Sequence, residues 1–330
     1  MDWSGIFRNA LQAGVGSETI IYGLAAIGLN LHFGYAGLLN FGQAAFVAVG
    51  AYGIAVTVTT FGLPFFVGVG VGILGAVVLA LLLGIPTLRL RADYLAIATI
   101  AAAEIVRLVF RSVSLNDITG GSDGLQGFDT TFYNLSFLPE GTYGFWYFRF
   151  SERTWWVLLV GWSLVILFSV MVFLLMRSPW GRVLKGIRED EDAVRSLGKN
   201  VYLYKMQALI LGGVIGAFAG FIFALSRAAV QPDLYSTELT FFVYTILLLG
   251  GAARVLGPVV GAAIFWVVLS LTENVLAQAV RFDKIPDAII SGPEVGTVRF
   301  MLVGLALMAL MIFRPQGIFG DKREIAINAR

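Results

Sequence analysis

Asn30, His32, Gly34, Gly37, Asn40, Gly42 and Gln43 interrupt residues 19–60, a stretch that carries no acidic or basic residue apart from the imidazole of His32. Backbone groups freed by such interruptions inside a membrane must be buried in protein or line a water-filled cavity. Discontinuous helices of this kind build substrate sites near the midplane of many transporters. Asn30, Asn40 and Gln43, with Gly34, Gly37 and Gly42, are therefore candidates to line a translocation path. A tight helix–helix turn with glycine for close packing explains the same residues equally well. His32 reads as a satisfied structural histidine rather than as a ligand or proton relay.

Glu104 and Arg107 form the second constellation. Charges at membrane depth are expensive and usually face the bundle interior. A spacing of three puts the two on one helix face, where they can pair. Glu104 is the one acid placed deep enough to join a translocation path, although a locally neutralised pair near the outer interface is the plainer reading. The run Thr119, Gly120, Gly121, Ser122, Asp123, Gly124, Leu125 resembles a phosphate-cradling turn but lacks the lysine and following helix of a P-loop. It reads as a structural turn.

Enzyme chemistry has little to work with. There is no Cys and a single His, so thiolate nucleophiles, disulfides and multi-histidine metal sites are excluded. No nucleophile–base pair and no metal cluster is visible, so no catalytic residue and no metal ligand is assigned. The sole Gly-Lys pair, Gly198 and Lys199, is followed by Asn200, so no Walker A pattern exists. The chain is not expected to hydrolyse ATP or to hold a cofactor.

A charged segment follows at Arg177 to Lys205. Val183, Leu184, Ile187, Val194 and Leu197 alternate with charges at roughly helical spacing, and Glu191 can pair with Arg195 at i, i+4. Gly198 suits a helix C-terminus. Such an amphipathic helix docks in a groove of a partner protein or lies on the membrane. Four consecutive acids, Glu189 through Asp192, argue against docking on anionic lipid.

The elements that must position these residues follow from composition. Of 330 residues, 58% are hydrophobic and only 13% charged. The mean hydropathy is +0.83. Soluble domains carry about 25% charged residues, so an ordinary soluble globule is excluded, and so is disorder. A net charge of +2 gives no clustered basic excess, so nucleic acid is not an expected partner. The N-terminus, Met1, Asp2, Trp3, lacks a basic signal-peptide region, and the first membrane helix is expected to serve as targeting signal.

Residues 19–60 as one helix would run about 63 Å, twice the hydrocarbon thickness, so they must make two crossings or one crossing plus broken segments. Further apolar segments lie at 64–85, 94–110, 155–176, 205–225, 237–249, 258–275 and 298–313. The fold class is all-α: a polytopic transmembrane helix bundle of about nine spans, eight to ten being compatible, with discontinuous helices. Residues 1–330 form one membrane domain, with an extracytoplasmic loop at 111–153 and a cytoplasmic loop at 177–204. The orientation rests on Lys/Arg bias: Arg177, Arg182, Lys185, Arg188, Arg195, Lys199 and Lys205 mark one inner segment, and Arg314, Lys322, Arg323 and Arg330 mark an inner tail. The outer loop carries Asp117, Asp123, Asp129, Glu140 and Glu152 against Arg111, Arg149 and Arg153. The N-terminus falls outside if 19–60 is a simple hairpin. Gly212, Gly216 and Gly220, and Gly257 with Gly261, mark faces for close helix packing.

Seven stretches in order, from about residue 24 to residue 320, resemble the permease subunits of branched-chain amino acid ABC importers, the LivH/LivM family, and its LivM side more closely. They are 28–53, 88–97, 104–107, 119–125, 181–200, 250–261 and 313–318. The resemblance implies a multi-pass permease of a prokaryotic cytoplasmic membrane, in contact with membrane lipid. It implies two ABC ATPase subunits that hold ATP and Mg, a second LivH-like permease and an extracytoplasmic solute-binding protein. Residues 191–198 look like the family's ATPase-coupling helix, with Arg188, Glu191, Asp192, Ala193, Arg195 and Gly198 as the coupling residues. The family often has Ser-Leu-Gly-His where this chain has Asn40, Phe41, Gly42 and Gln43, so an amide replaces a basic ring.

The resulting expectation is an importer permease that moves branched-chain or other small amino acids by alternating access. Urea or short amides are alternative substrates within the same family. An ion-coupled secondary transporter or channel for small polar solutes would instead need a functional acid at depth, and Glu104 is its candidate. A scaffold without transport activity leaves the Asn/Gly/Gln cluster without purpose.

Overall fold

Long apolar runs with few charges can satisfy their backbone in lipid only as helices, and helices dominate the chain. The computed structural model describes residues 2–90, 92–145, 148–281, 295–313 and 317–320. Arg91 and the tail residues Arg314, Lys322, Arg323 and Arg330, on which the expected orientation partly rests, lie outside the described residues.

The chain opens with a helix that sequence patterning did not single out, α1 (Trp3–Val15), and continues into α2 (Ser17–Leu29). A π-helical turn, Asn30–Tyr35, extends α2, and seven residues without regular structure (36–42) lead to α3 (Gln43–Thr59). The 19–60 stretch is thus two helical arms joined by a break. α4 (Phe65–Thr87) and α5 (Ala92–Arg111) follow. After the loop that follows α5 come α8 (Glu152–Arg177), α11 (Val201–Arg227), α12 (Thr237–Gly250), α13 (Gly257–Arg281) and α14 (Val295–Phe313). By length and composition, α4, α8, α11 and α13 are each long and apolar enough to cross a membrane among the described residues, and α3 and α12 are shorter apolar helices.

The all-α expectation needs one amendment. The 111–153 loop carries the short helices α6 (Asn116–Thr119) and α7 (Thr130–Asn134) and also strands. β2 (Thr142–Phe145) and β3 (Phe148–Ser151) form a hairpin, and β1 (Leu125–Gln126) pairs with β4 (Ala229–Val230) beyond α11. Gly120, Gly121 and Gly124 have positive φ, which builds the turn before β1.

Close approach of helices explains the glycine stripe. A Cβ at Gly220 would strike the Val47 backbone, and one at Gly213 would meet the Phe46 ring at 2.5 Å. α11 is the bundle's axis, with most of its length buried between α2, α3 and α4. α4 and α8 present outward apolar faces, among them Leu74, Leu82, Ile166 and Leu174.

Two ends of the bundle are distinct. At one end, residues 251–256 and the α8–α11 loop meet the π-helical turn, and residues 317–320 lie against the end of α12. Ile318 N–H donates to the Leu249 carbonyl at 2.9 Å and Phe319 N–H to the Gly250 carbonyl at 3.2 Å, which satisfies orphan carbonyls at the end of α12. At the opposite end, Arg107 and Arg111 reach Asp233, Arg227 pairs with Glu18 at 3.0 Å, and the Asp2 amide donates to Gln278 at 2.7 Å.

Candidate functional site

The break after α2 is held by side chains of its own segment. The Asn30 amide nitrogen donates to the Arg254 carbonyl at 2.9 Å, and its oxygen accepts from the Ala253 amide at 2.9 Å. Asn30 therefore clamps the 251–256 turn at the point where the helix changes pitch. Gly34 is required there, because a Cβ would lie 2.7 Å from the Ala253 nitrogen. Gly37 turns the chain with φ +68, a region open to glycine at no steric cost.

His32, Asn40 and Gln43 line up behind this clamp. The Leu209 carbonyl can only accept, so His32 Nε2, 3.1 Å away, carries the ring proton. His32 Nδ1 then accepts from the Asn40 amide nitrogen at 2.9 Å. Both ring nitrogens are committed and the side chain is fully buried, as a fastener between the break and α11. The Asn40 amide oxygen accepts from the Gly42 amide at 2.9 Å, and Tyr244 on α12 donates to the Asn40 carbonyl at 3.1 Å. The Gln43 nitrogen donates to the Ala25 carbonyl at 3.1 Å, while its oxygen is buried without a partner. Asn30, Asn40 and Gln43 are at most 1% exposed, and Gly34 and Gly42 are buried too, whereas Gly37 is exposed. These side chains face the interior of this subunit and set the shape of the break.

Two further residues complete the start of α3, and local spacing did not mark them. Thr99 on α5 accepts from the Phe41 amide at 3.0 Å, and Thr240 on α12 accepts from the Ala44 amide at 2.9 Å. Both threonines are fully buried. Thr240 supplies an acceptor to a helix N-terminal amide that has no intrahelical partner, and Thr99 supplies one to the amide just before the helix. A lone Thr in an apolar helix carries no sequence signal for this role.

At the end of the bundle away from the break, Arg107 grips Glu104 in a forked pair, with Nε–O distances of 3.1 and 3.0 Å. Arg107 also reaches Asp233 at 2.5 Å, and Arg111 reaches the same carboxylate at 3.2 Å. Asp233 sits in a 3₁₀ turn, Pro232–Tyr235, between α11 and α12. Two acids and two bases thus close a charge-balanced cluster, and Glu104 belongs to it.

The loop between α8 and α11 folds as two helices rather than one amphipathic helix: α9 (Pro179–Glu189) and α10 (Glu191–Ser196). The reason is Asp190, whose extended backbone ends α9 while its carboxylate accepts from the Ala193 amide at 2.9 Å and caps α10. Gly181, Leu184 and Ile187 bury one face of α9, and Trp180 donates to Gln207 on α11 at 2.7 Å. Arg188 on that same helix donates to the Gly34 carbonyl at 2.5 Å, directly on the break. Glu191 pairs with Arg195 at 2.8 Å and with Lys205 at the start of α11, and Asp192 pairs with Arg195 at 3.0 Å. Beyond α10 the chain turns at Gly198, φ +77, with open space around it. Leu197 next to it is 79% exposed, an apolar knob at a polar tip. Its periodicity was visible in the sequence, but its outward direction was not.

A helical bundle with an internally fastened break, tied through one arginine to a charged loop at its end, is a multi-pass membrane protein of the permease class. A family model described as branched-chain amino acid transport system, permease component, matches residues 13–311. The chain belongs to that family, on its LivM side. It is 32% identical over 314 residues to the high-affinity branched-chain amino acid transport system permease protein LivM of Escherichia coli, covering 92% of this chain and 69% of that one. A probable LivM of Methanocaldococcus jannaschii is 29% identical, covering 92% of this chain and 91% of its own. The autoinducer 2 import system permease protein LsrC of Photorhabdus laumondii is 30% identical over a shorter stretch, covering 31% of this chain and 32% of that one.

Proposed function

We propose that this chain is the LivM-type permease subunit of an ABC importer in a prokaryotic cytoplasmic membrane, and that it moves branched-chain or other small amino acids by alternating access. The observation that carries the reading is the Arg188 guanidinium on the Gly34 carbonyl, 2.5 Å apart. It joins the loop where partner ATPases would push to the break that would change shape. The ATPases, which would hold ATP and Mg, dock on α10 through its exposed acids and Leu197. A second, LivH-like permease and an extracytoplasmic solute-binding protein complete the assembly.

Nine crossings are proposed: α2 with its π-helical turn, α3, α4, α5, α8, α11, α12, α13 and α14. They make residues 1–330 one permease domain, with 111–153 outside and 177–204 as the inner coupling loop. In this arrangement Asn30, Asn40, Gln43, Gly34, Gly37 and Gly42 shape the wall of the path from within, and Glu104 sits at its outer mouth. Arg188, Glu191, Asp192, Ala193, Arg195 and Gly198 form the coupling element. A differential contact of the ATPases with α10 in two states is what drives the change. The fork of Arg107 on Glu104 disfavours an ion-coupled transporter, since the acid such a mechanism needs is already paired.

The test is mass spectrometry of whatever co-purifies with the gently solubilised, tagged chain. Two ATPases and a second permease are expected, and Leu197→Asp is expected to release the ATPases while retaining the second permease. The chain purifying alone, or with itself only, contradicts the reading.

A further inference from the structure

Between the inner halves of α8 and α13 lies a groove of about 670 Å³ that the transport reading does not use. Its walls are apolar: Val170, Phe173, Met176, Val255, Leu256 and Val260. Val170, Phe173 and Leu256 are also among the large exposed apolar side chains, so the groove opens on the outside of the bundle. It reaches from Arg177 to Ser169 along α8, about 12 Å of helix, which is the depth of a headgroup and the first part of an acyl chain.

The rim is basic. Arg177, Lys185 and Arg254 line the inner mouth, and among the described residues no lining residue is acidic. The Arg177 guanidinium lies 4.0 Å from the centroid of the Phe173 ring, and the Lys185 ammonium 5.9 Å from that of Tyr35. Both cations are thus held at the junction of apolar wall and inner water, where long basic side chains place their charge. At the far end, the Ser169 hydroxyl is buried without a partner. Basic pockets between membrane helices on the inner side are built to hold anionic lipid headgroups.

We infer that this groove is a binding site for one anionic phospholipid of the inner leaflet, with its phosphate between Arg177 and Lys185 and an acyl chain along Val170, Phe173 and Val260. The site is independent of what the chain transports. Because Lys185 belongs to α9, the lipid would brace the base of the inner loop on the side opposite its acidic tip.

Native mass spectrometry of the detergent-purified full chain with its co-purifying subunits tests this, with phosphatidylglycerol or phosphatidylcholine added at equal concentration. Preferential retention of phosphatidylglycerol is expected. Arg177→Gln with Lys185→Gln is expected to lower that retention about thirtyfold and to leave phosphatidylcholine unchanged. Val260→Trp keeps the cations and fills the groove, and it is expected to lower retention of phosphatidylglycerol as well. Equal retention of the two lipids by the unsubstituted chain, or retention unmoved by either variant, overturns the inference. Displacement of the lipid by glycerol phosphate or inorganic phosphate overturns it too, because the site would then hold a soluble phosphate. Retention by the isolated chain that vanishes in the assembled complex assigns the groove to a protein neighbour and also overturns it.

Discussion

The break between α2 and α3 and the loop between α8 and α11 interrupt the same apolar chain with glycine and polar residues, yet the chain completes only the first. At the break, Asn30, His32 and Asn40 find partners inside the subunit and lose contact with solvent. At the loop, Asp192 is 88% exposed and Leu197 79% exposed, and the acids pair at the surface. Buried polar groups must be satisfied at the moment of folding, whereas exposed ones can wait for a partner. The first region therefore sets the stability of this chain, and the second is left open to a partner, as the proposed coupling requires. Arg188 is where the two meet.

That division predicts where substitutions act. Gly212→Val has the largest expected effect, because a branched side chain there would strike both the His32 ring and the Gly28 carbonyl. Overpacking costs about 1–3 kcal/mol and occasionally more, here against a carbonyl that cannot yield, and the expected outcome is a chain that fails to give a monodisperse peak in size-exclusion chromatography. A folded, monodisperse Gly212→Val chain would mean that α2 and α11 are not held this closely.

His32→Leu comes next. It removes one partner from the Asn40 amide and one from the Leu209 carbonyl, each worth about 1–3 kcal/mol when left buried and unmet. The melting temperature of the purified subunit should fall clearly while ATPase binding is retained by the chains that remain folded. An unchanged melting temperature would show that the break is not fastened by this ring.

Gly198→Ala is expected to act least on stability. Its φ of +77 is a region where a Cβ costs about 1–2 kcal/mol, and no neighbour lies within 4 Å of the added atom. The melting temperature should stay within a few degrees, but the uptake obtained per ATP should drop as the tip carrying Leu197 is re-aimed. Uptake and hydrolysis both unchanged would remove Gly198 from the coupling element.

Much of this was legible in sequence because lipid leaves the backbone few options. The segments at 64–85, 155–176, 205–225 and 258–275 fall on α4, α8, α11 and α13, since apolar runs of that length have no alternative to a helix. Asn30, Gly34, Asn40 and Gln43 stood out because polar residues in an uncharged stretch must serve a purpose, and the Glu104–Arg107 pair followed from their spacing of three. What was not legible is who meets whom across the bundle. Thr99, Thr240 and Asp233 each complete a cluster from an element distant in sequence, and Arg188 finds a carbonyl 154 positions away. Local periodicity carries no record of such pairings. The split at Asp190 was missed for another reason: a cap and a surface acid look alike until the backbone around them is known.

The most direct measurement is the ratio of amino acid uptake to ATP hydrolysis in proteoliposomes containing the complete transporter, with Arg188→Ala compared with the unsubstituted chain. If the guanidinium on Gly34 carries motion from the loop to the break, Arg188→Ala keeps its ATPases and its hydrolysis but loses most of the uptake per ATP. An unchanged ratio would contradict the link between the two regions.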